Sequence, residues 1–361
     1  MIAAVHQFVP SLSPRDAIGA HTLATQELLL EMGLHSEIFA DEVRPGFEGR
    51  VRPYRSYGKP RRGAVLLYQA SIGSPVADFL AARPEPKWVY FHNITPRRLV
   101  ERWSPELGMA SATGWSQLAT LAPVTTACFA ASPYNRDELV RVGFTGPVVV
   151  PPLVELTSPD FEVDPAAMEQ LASTRRGAEL LFVGRVSPHK GQHHLIKALA
   201  AYRRAYDPQA RLHLVGGSAC DAYRDALIGY AAALGLGEAV TVPGSVPPGE
   251  LAAHYRNADA FVCASEHEGF CIPLLEAMSH RLPIVAHGAA AVSHTVGGAG
   301  LVLDRPAPLV MAAAIHRALT DPELRLTMDL AAKARLDCLG LTRSRQALAA
   351  AVDAALSGPP A

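Results

Sequence analysis

The chain has 361 residues, with 33 Lys and Arg against 34 Asp and Glu and a formal net charge of −1 at pH 7. That balance removes the global electrostatic pull of a nucleic-acid binder, so no nucleic-acid partner is expected. With 49% hydrophobic and 19% charged residues the chain is not disordered, and because one core stops growing at about 250–300 residues, two domains are expected.

Five cysteines, Cys128, Cys220, Cys263, Cys271 and Cys338, are scattered without a C-x-x-C pair. This argues against a disulfide framework or a structural zinc site and fits a reducing cytoplasm. The start, MIAAVHQFVP, lacks the features of a secretory signal. No apolar run reaches the roughly 18 residues of a membrane span. The expected location is cytoplasmic.

In chain order, IAAVHQF (Ile2–Phe8) reads as a buried strand and AIGAHTLATQELLLEMG as a helix ended by Gly33. HSEIFA, AVLLYQA, KWVYFH, TTACFAAS and PVVVPP follow as strands with helices between them. Such alternation implies βαβ units around a mostly parallel sheet. Prolines at 151, 152, 159 and 165 then interrupt a segment with no period of 2 or 3.6, and the domain boundary is placed near 151–176. The alternation restarts. AELLFVG, ARLHLVG, AVTVPG, DAFVCAS, LPIVAH and AGLVLD read as strands, with helices at GQHHLIKALAAYRRA, DAYRDALIGYAAALG and PGELAAHYRNA, and helical patterns from Pro306 onward. The fold class is therefore α/β, with two doubly wound, Rossmann-like parallel-sheet domains whose ligand crevices would face across a cleft.

The stretch SEHEGFCIPLLEAM sets Glu268 and Glu276 on either side of a nearly apolar run. Glu268 falls in the loop past a strand's carboxyl end, and Pro273 suits the first turn of the next helix. Glu276 then lies about one turn into that helix. The amides around Cys271–Leu275 become an open helix N-terminus, which attracts phosphate, and Gly269 allows close approach of a ligand. A carboxylate before the tip, amides at the tip and a carboxylate inside suit a ligand with hydroxyls at both ends and a phosphate between. Two glutamates at this spacing are also common on any strand–loop–helix surface. In LLFVGRVSPHKGQ, Arg185 and Lys190 stand past the next domain's first strand, beside Gly184 and Gly191. Two such cations suit a diphosphate. No Walker loop and no G-x-G-x-x-G follows any strand.

FVGRVSPHKG, VTVPGSVPPGELAAHYRNADAFVCAS and EHEGFCIPLLEAMSHRLPIVA together resemble the donor half of family 4 retaining glycosyltransferases, which have the GT-B fold. The resemblance covers most of residues 178–303. More loosely, SPRDAIGAH stands where such enzymes have a glycine-rich loop, and YFHNITP where many have a histidine. The resemblance implies an acceptor-binding domain at 1–155, a nucleotide-sugar domain at 156–340, and a final helix at 341–361 packing back on the first domain. It implies that Glu268 contacts donor-sugar hydroxyls, Glu276 the ribose, and Arg185 and Lys190 the departing diphosphate. The amides of Phe270, Cys271, Ile272, Leu274 and Leu275 would bind sugar hydroxyls and phosphate, with Gly184 and Gly269 alongside. Gly19 would let the first-domain loop approach the phosphates, His92 would lie near the anomeric carbon, and Pro243–Val246, with Gly244 and Val246, would border the base. The donor is then a nucleotide-sugar, the acceptor sugar-containing or lipid-linked, and no cofactor or metal is required. Cys271 stands where the family has glycine, and Ser293-His294 where a Pro-Glu pair is common.

Arg44–Arg62 carries seven basic residues and one acidic, with Phe47, Tyr54 and Tyr57 interleaved. It reads as a patch for an anionic acceptor with peripheral membrane association, or as a solvated loop, the blander reading that its place in the variable half favours. His189, His193 and His194 have metal-ligand spacing, but no carboxylate or cysteine falls at ligand spacing nearby, so ordinary histidines are expected. Cys271 reads as a packing residue rather than a reactive thiol. Two rivals stand beside glycosyl transfer: a nucleotide-sugar epimerase on the same fold, and a non-catalytic nucleotide-sugar-binding subunit.

Overall fold

The structure is a computed structural model, described here for residues 2–13, 16–43, 46–47 and 49–358. Its elements are β1 (Ala4–Leu12), α1 (Ala17–Glu31), β2 (Ile38–Val43), β3 (Val51–Pro53), β4 (Ala64–Ala70), α2 (Pro75–Ala81), β5 (Lys87–Phe91), α3 (Pro105–Leu121), β6 (Thr125–Ala130), α4 (Pro133–Val142) and β7 (Val148–Val149). There follow α5 (Pro165–Thr174), β8 (Glu179–Val183), α6 (Gln192–Ala205), β9 (Arg211–Val215), α7 (Asp221–Ala233), β10 (Val240–Gly244), α8 (Pro248–Asn257), β11 (Ala260–Cys263), α9 (Ile272–Ser279), β12 (Ile284–His287), α10 (Val292–Val296), β13 (Gly300–Leu303), α11 (Pro308–Thr320), α12 (Pro322–Leu339) and α13 (Leu341–Ser357). They form two compact units. One takes in the chain up to Glu101, Pro105–Glu155 and the residues from Leu339; the other takes in Arg102–Ser104 and Leu156–Cys338.

The first unit is built on a seven-stranded sheet of order β3-β2-β1-β4-β5-β6-β7, every pair parallel. Strands of a parallel sheet are buried on both faces, which is why they read as continuous apolar runs. β1 shows it within two residues. Phe8 belongs to one core with Leu66, Val89 and Phe91, while Val9 belongs to a second core with Leu12 and Ile38. Successive side chains point to opposite faces, so each face is covered. Helices start where the sequence supplies caps: Ser132 accepts from Asn135 N–H ahead of Pro133, and α4 closes on Gly143 at φ 109°. α13 lies in this unit, with Arg345 ion-paired to Glu31 of α1 at 2.6 Å.

The second unit has a six-stranded parallel sheet of order β10-β9-β8-β11-β12-β13. Both orders reverse direction at the first strand of the unit, the switch point where such sheets hold ligands at their carboxyl edge.

Two segments differ from the sequence reading. The aperiodic stretch near 151–176 contains a helix, α5, because Asp164 caps it by accepting from Ala166 and Ala167 N–H and Pro165 takes a first-turn position that needs no hydrogen bond. The basic run is not simply a solvated loop. It holds β3 and a 3-10 turn at Tyr54–Tyr57, and Phe47, Tyr54 and Tyr57 are buried. Arg52 and Arg61 pair with Glu37, and Arg61 lies 4.7 Å over the Tyr57 ring. Arg44 lies outside the described residues.

Candidate active site

In the second unit, β8 runs into a 3-10 turn at Pro188–Lys190, closed by Gly191 at φ 66°. A Cβ at Gly191 would sit 2.2 Å from Ala264 O, so only glycine lets this turn press against the backbone leaving β11. That packing brings Lys190 to Glu268. Lys190 Nζ donates to Oε1 at 2.8 Å and Oε2 at 2.7 Å. Both side chains are mostly buried, 18% and 8% exposed. Burial alone would lower the lysine's pKa; the charge and hydrogen bond of Glu268, together with the neighbouring Cys271 and Cys263, outweigh it, and the pKa is raised. A second link joins the same loops: Glu266 N–H donates to His189 O at 2.8 Å. Arg185, at the mouth of the turn, is exposed, and its carbonyl accepts from Gln192 Nε2 at 3.0 Å.

The loop after β11 is fixed before α9 begins. Ala291 N–H donates to Glu268 O, and Thr295 Oγ1 to Phe270 O at 2.5 Å. Cys271 precedes the helix in the left-handed region, φ 73°, a conformation glycine adopts freely and other residues at a cost of about 1–2 kcal/mol. Its thiol lies beside Cys263, and hydrogen bonding with that thiol, burial and the Glu268 charge push it well above the usual range, the opposite of a reactive thiolate. The expected row of open amides is shorter than the sequence suggests. Leu274 N–H already donates to Cys271 O at 3.1 Å and Pro273 has no N–H, so Cys271 and Ile272 are the amides at the tip. The Leu274 and Leu275 side chains are core.

Glu276 is 7% exposed and is also a structural anchor. Oε1 accepts from Thr157 N–H at 3.1 Å and Oε2 from Tyr255 Oη at 2.8 Å. These bonds take two of about four acceptor positions on a carboxylate. Gly184 follows β8 and donates to Val215 O at 2.9 Å, and Gly244 ends β10 and accepts from Gly216 N–H at 2.9 Å. Val246 and Gly269 are buried, and Ile272 half-buried. A hollow of about 610 Å³ lined by Tyr255, Asp259, His280 and Pro283 opens before β11 and β12. It lies at the amino edge of the sheet, away from the ion pair and from where such sheets bind nucleotides.

In the first unit, Gly19 is not in a loop. It is the third residue of α1, where an added Cβ would meet Ser13 O at 3.2 Å and Leu12 Cδ2 at 3.3 Å. Its small size lets the helix start close under β1; part of the preceding loop, Pro14 and Arg15, lies outside the described residues. His92 follows β5 and ends a buried polar chain that sequence reading missed. Gln7 Nε2 donates to Thr22 O at 2.9 Å, Gln69 Nε2 to Gln7 Oε1 at 2.7 Å, and His92 Nε2 lies 2.8 Å from Gln69 Oε1. A backbone carbonyl can only accept. It therefore orients Gln7, Gln7 orients Gln69, and Gln69 requires the proton of His92 on Nε2, leaving Nδ1 as the bare nitrogen. Burial, with the neighbouring His21 second, pushes the His92 pKa well below the ordinary histidine range. His21, which accepts from Leu153 N–H at 2.9 Å, is pushed by burial to about 3. The available signal was a lone glutamine in each of two buried runs, VHQFV and LLYQA, since buried amides require partners.

Residues 164–335, nearly all of the second unit, match the family of glycosyl transferases group 1. The second unit belongs to the group 1 glycosyltransferases. Among curated relatives, D-inositol 3-phosphate glycosyltransferase of Kineococcus radiotolerans is 31% identical over 227 residues, covering 57% of this chain and 52% of the relative. A GDP-mannose-dependent alpha-(1-6)-phosphatidylinositol monomannoside mannosyltransferase of Mycobacterium tuberculosis is 30% identical over 243 residues, 61% of each. The chain spans about half the length of the curated relatives it matches. Among solved structures, sucrose-phosphate synthase from Thermosynechococcus elongatus superposes with TM-score 0.75 at 18% identity, covering 98% of this chain and 99% of that one. Anabaena HepE, in complex with UDP and glucose, gives 0.71 at 18%, covering 97% and 99%. These neighbours show the fold, and the chain has the two Rossmann-like units of the GT-B class.

Proposed function

We propose that the chain transfers a sugar from a nucleoside-diphosphate sugar to an acceptor hydroxyl, with retention of anomeric configuration and no requirement for a metal. The observation that carries this reading is the bidentate Lys190–Glu268 pair beside the tip of α9, at the carboxyl edge of the sheet in a group 1 glycosyltransferase unit.

As the glycosidic bond breaks, positive charge grows on the sugar and negative charge on the diphosphate. Glu268 holds Lys190 in place and charged with two of its three ammonium donors, leaving one for a phosphate oxygen. Arg185 and the amides of Cys271 and Ile272 supply further positive potential, and the Glu268 carboxylate faces sugar hydroxyls. Preorganised groups of this kind are often the largest catalytic term. A glycosidase-like nucleophile and acid pair is disfavoured, because Glu268 is bound by Lys190 and Glu276 by Thr157 and Tyr255. In this reading the leaving phosphate accepts the acceptor's proton, Glu276 offers its remaining acceptor positions to the ribose, and His92 supplies the first unit's contact to the sugar.

The relatives' names refer to inositol phosphate and phosphatidylinositol mannoside acceptors. For this chain we propose the wider class of sugar-containing or lipid-linked hydroxyls, met in the cytoplasm. Among the described residues no helix is long and apolar enough to cross a membrane. The exposed cations Arg50, Arg55, Lys59 and Arg62 are proposed to give at most a weak, salt-sensitive hold on anionic membrane, read by sedimentation with anionic vesicles.

The test is incubation with UDP-, GDP-, ADP- and dTDP-sugars, with and without sugar acceptors, in buffer with EDTA. Release of one nucleoside diphosphate and an α-linked product from an α-linked donor would support the reading. A new nucleotide-sugar formed without acceptor would replace it with epimerisation, and activity abolished by EDTA would remove the metal-free claim.

A further inference from the structure

The first turn of α6 carries His193 and His194, and the loop after β11 brings Glu266 to them. One ring nitrogen of each histidine and a carboxylate oxygen of Glu266 lie within 4.8 Å of one another. His194 Nε2 is 3.9 Å from Glu266 Oε1. The sequence offered no carboxylate near these histidines; the parallel pairing of β8 with β11 supplies one.

The cluster is held in place on both sides. Tyr223 Oη lies 3.0 Å from His193 Nδ1, a contact that orients the ring from its far side. Glu266 is tied by its N–H to His189 O at 2.8 Å. The side chains of His194 and Glu266 are 24% and 37% exposed, so an ion can reach them from solvent. Nδ1 of His287, which ends β12 at the same edge of the sheet, is buried without a hydrogen-bond partner.

We propose that His193, His194 and Glu266 form a binding site for a divalent transition metal of the imidazole-preferring class, Zn²⁺ foremost, separate from the groups assigned to glycosyl transfer. Two imidazoles and one carboxylate match the donor set of three-ligand zinc sites, which keep a further position for water. Bonds of about 2.0–2.2 Å to one ion set two ligand atoms at most about 4.4 Å apart, so the three side chains would close in slightly from the present spacing. The ion would join α6 to the loop that carries Glu268. Its effect is to brace the frame around Lys190, not to take part in bond breaking.

The test uses the full chain, stripped with chelator and free of nucleotide, titrated calorimetrically with Zn²⁺ and followed optically with Co²⁺. The expected result is one ion per chain, visible Co²⁺ bands without a thiolate charge-transfer band, and a rise in melting temperature. His194→Ala and Glu266→Gln, both at partly exposed positions, should each weaken binding by at least about 10-fold with unchanged circular dichroism. Absence of binding, affinity unchanged from wild type in either variant, or a thiolate band pointing to Cys263 and Cys271 would overturn the proposal. No sugar donor is present, so this outcome is independent of the transfer assay.

Discussion

At the carboxyl edge of the first sheet, Gln7, Gln69 and His92 form a chain of neutral groups ending on a backbone carbonyl. At the same edge of the second sheet, Lys190 and Glu268 face each other as full charges. The strands beneath are alike, parallel and buried, so topology does not account for the difference. A neutral chain fixes a tautomer and a position without offering charge to a substrate. An ion pair held with one ammonium donor to spare can meet a charge that develops during reaction. In the proposed function this difference is a division of labour within one fold: positioning in the first unit, electrostatic stabilisation in the second.

The largest effect is expected at the charged edge. Lys190→Ala removes the cation and leaves Glu268 buried without its partner. Steady-state kinetics should show a loss of about 10²–10³ or more in rate, and urea unfolding a loss of about 3–5 kcal/mol. Lys190→Ala at full activity would break the comparison. Gly191→Ala acts on the same edge without touching a charge. At φ 66°, with Ala264 O 2.2 Å from the new Cβ, it should cost about 1–3 kcal/mol and lower activity by displacing Lys190.

At the neutral edge, Gln69→Leu strands Gln7 and His92. A cost of about 1–3 kcal/mol is expected, with the turnover rate falling while nucleotide affinity holds. The smallest effect is one of pH. His21 falls from 6.5 to about 3 in the folded state, so the unfolded chain takes up the proton first. Its contribution is present above about pH 6.5 and is lost as pH falls toward 3, about 2 kcal/mol by pH 5. Urea midpoints at about pH 7 and about pH 5 should therefore diverge, and less so in His21→Asn.

The fold class was legible because buried parallel strands are written as short apolar runs separated by helical periods. The segment around α5 misled, because a proline after a capping aspartate starts a helix as readily as it breaks one. Lys190 and Glu268 were readable as charges at strand ends, but their contact was not, since it depends on Gly191 meeting Ala264. Glu276 was readable as a carboxylate within a helix; its bonds to Thr157 and Tyr255 come from distant parts of the chain. Gly19 was readable within the helical pattern AIGAHTLATQELLLEMG, and only the resemblance set it with a loop; α1 holds it. The glutamine chain and the nearness of Glu266 to His193 and His194 belong to sheet register, which a single sequence does not print.

The central claim is that charge recognition resides at the second sheet's edge and not at the first's. It is tested most directly by calorimetric titration of UDP, GDP, ADP and dTDP into the wild type, Lys190→Ala and Gln69→Leu. The account predicts one preferred nucleotide, bound at least about 10-fold more weakly by Lys190→Ala, for a lost charged hydrogen bond of about 1.5–3 kcal/mol, and unchanged in Gln69→Leu. Equal weakening in both variants, or none in Lys190→Ala, would contradict it.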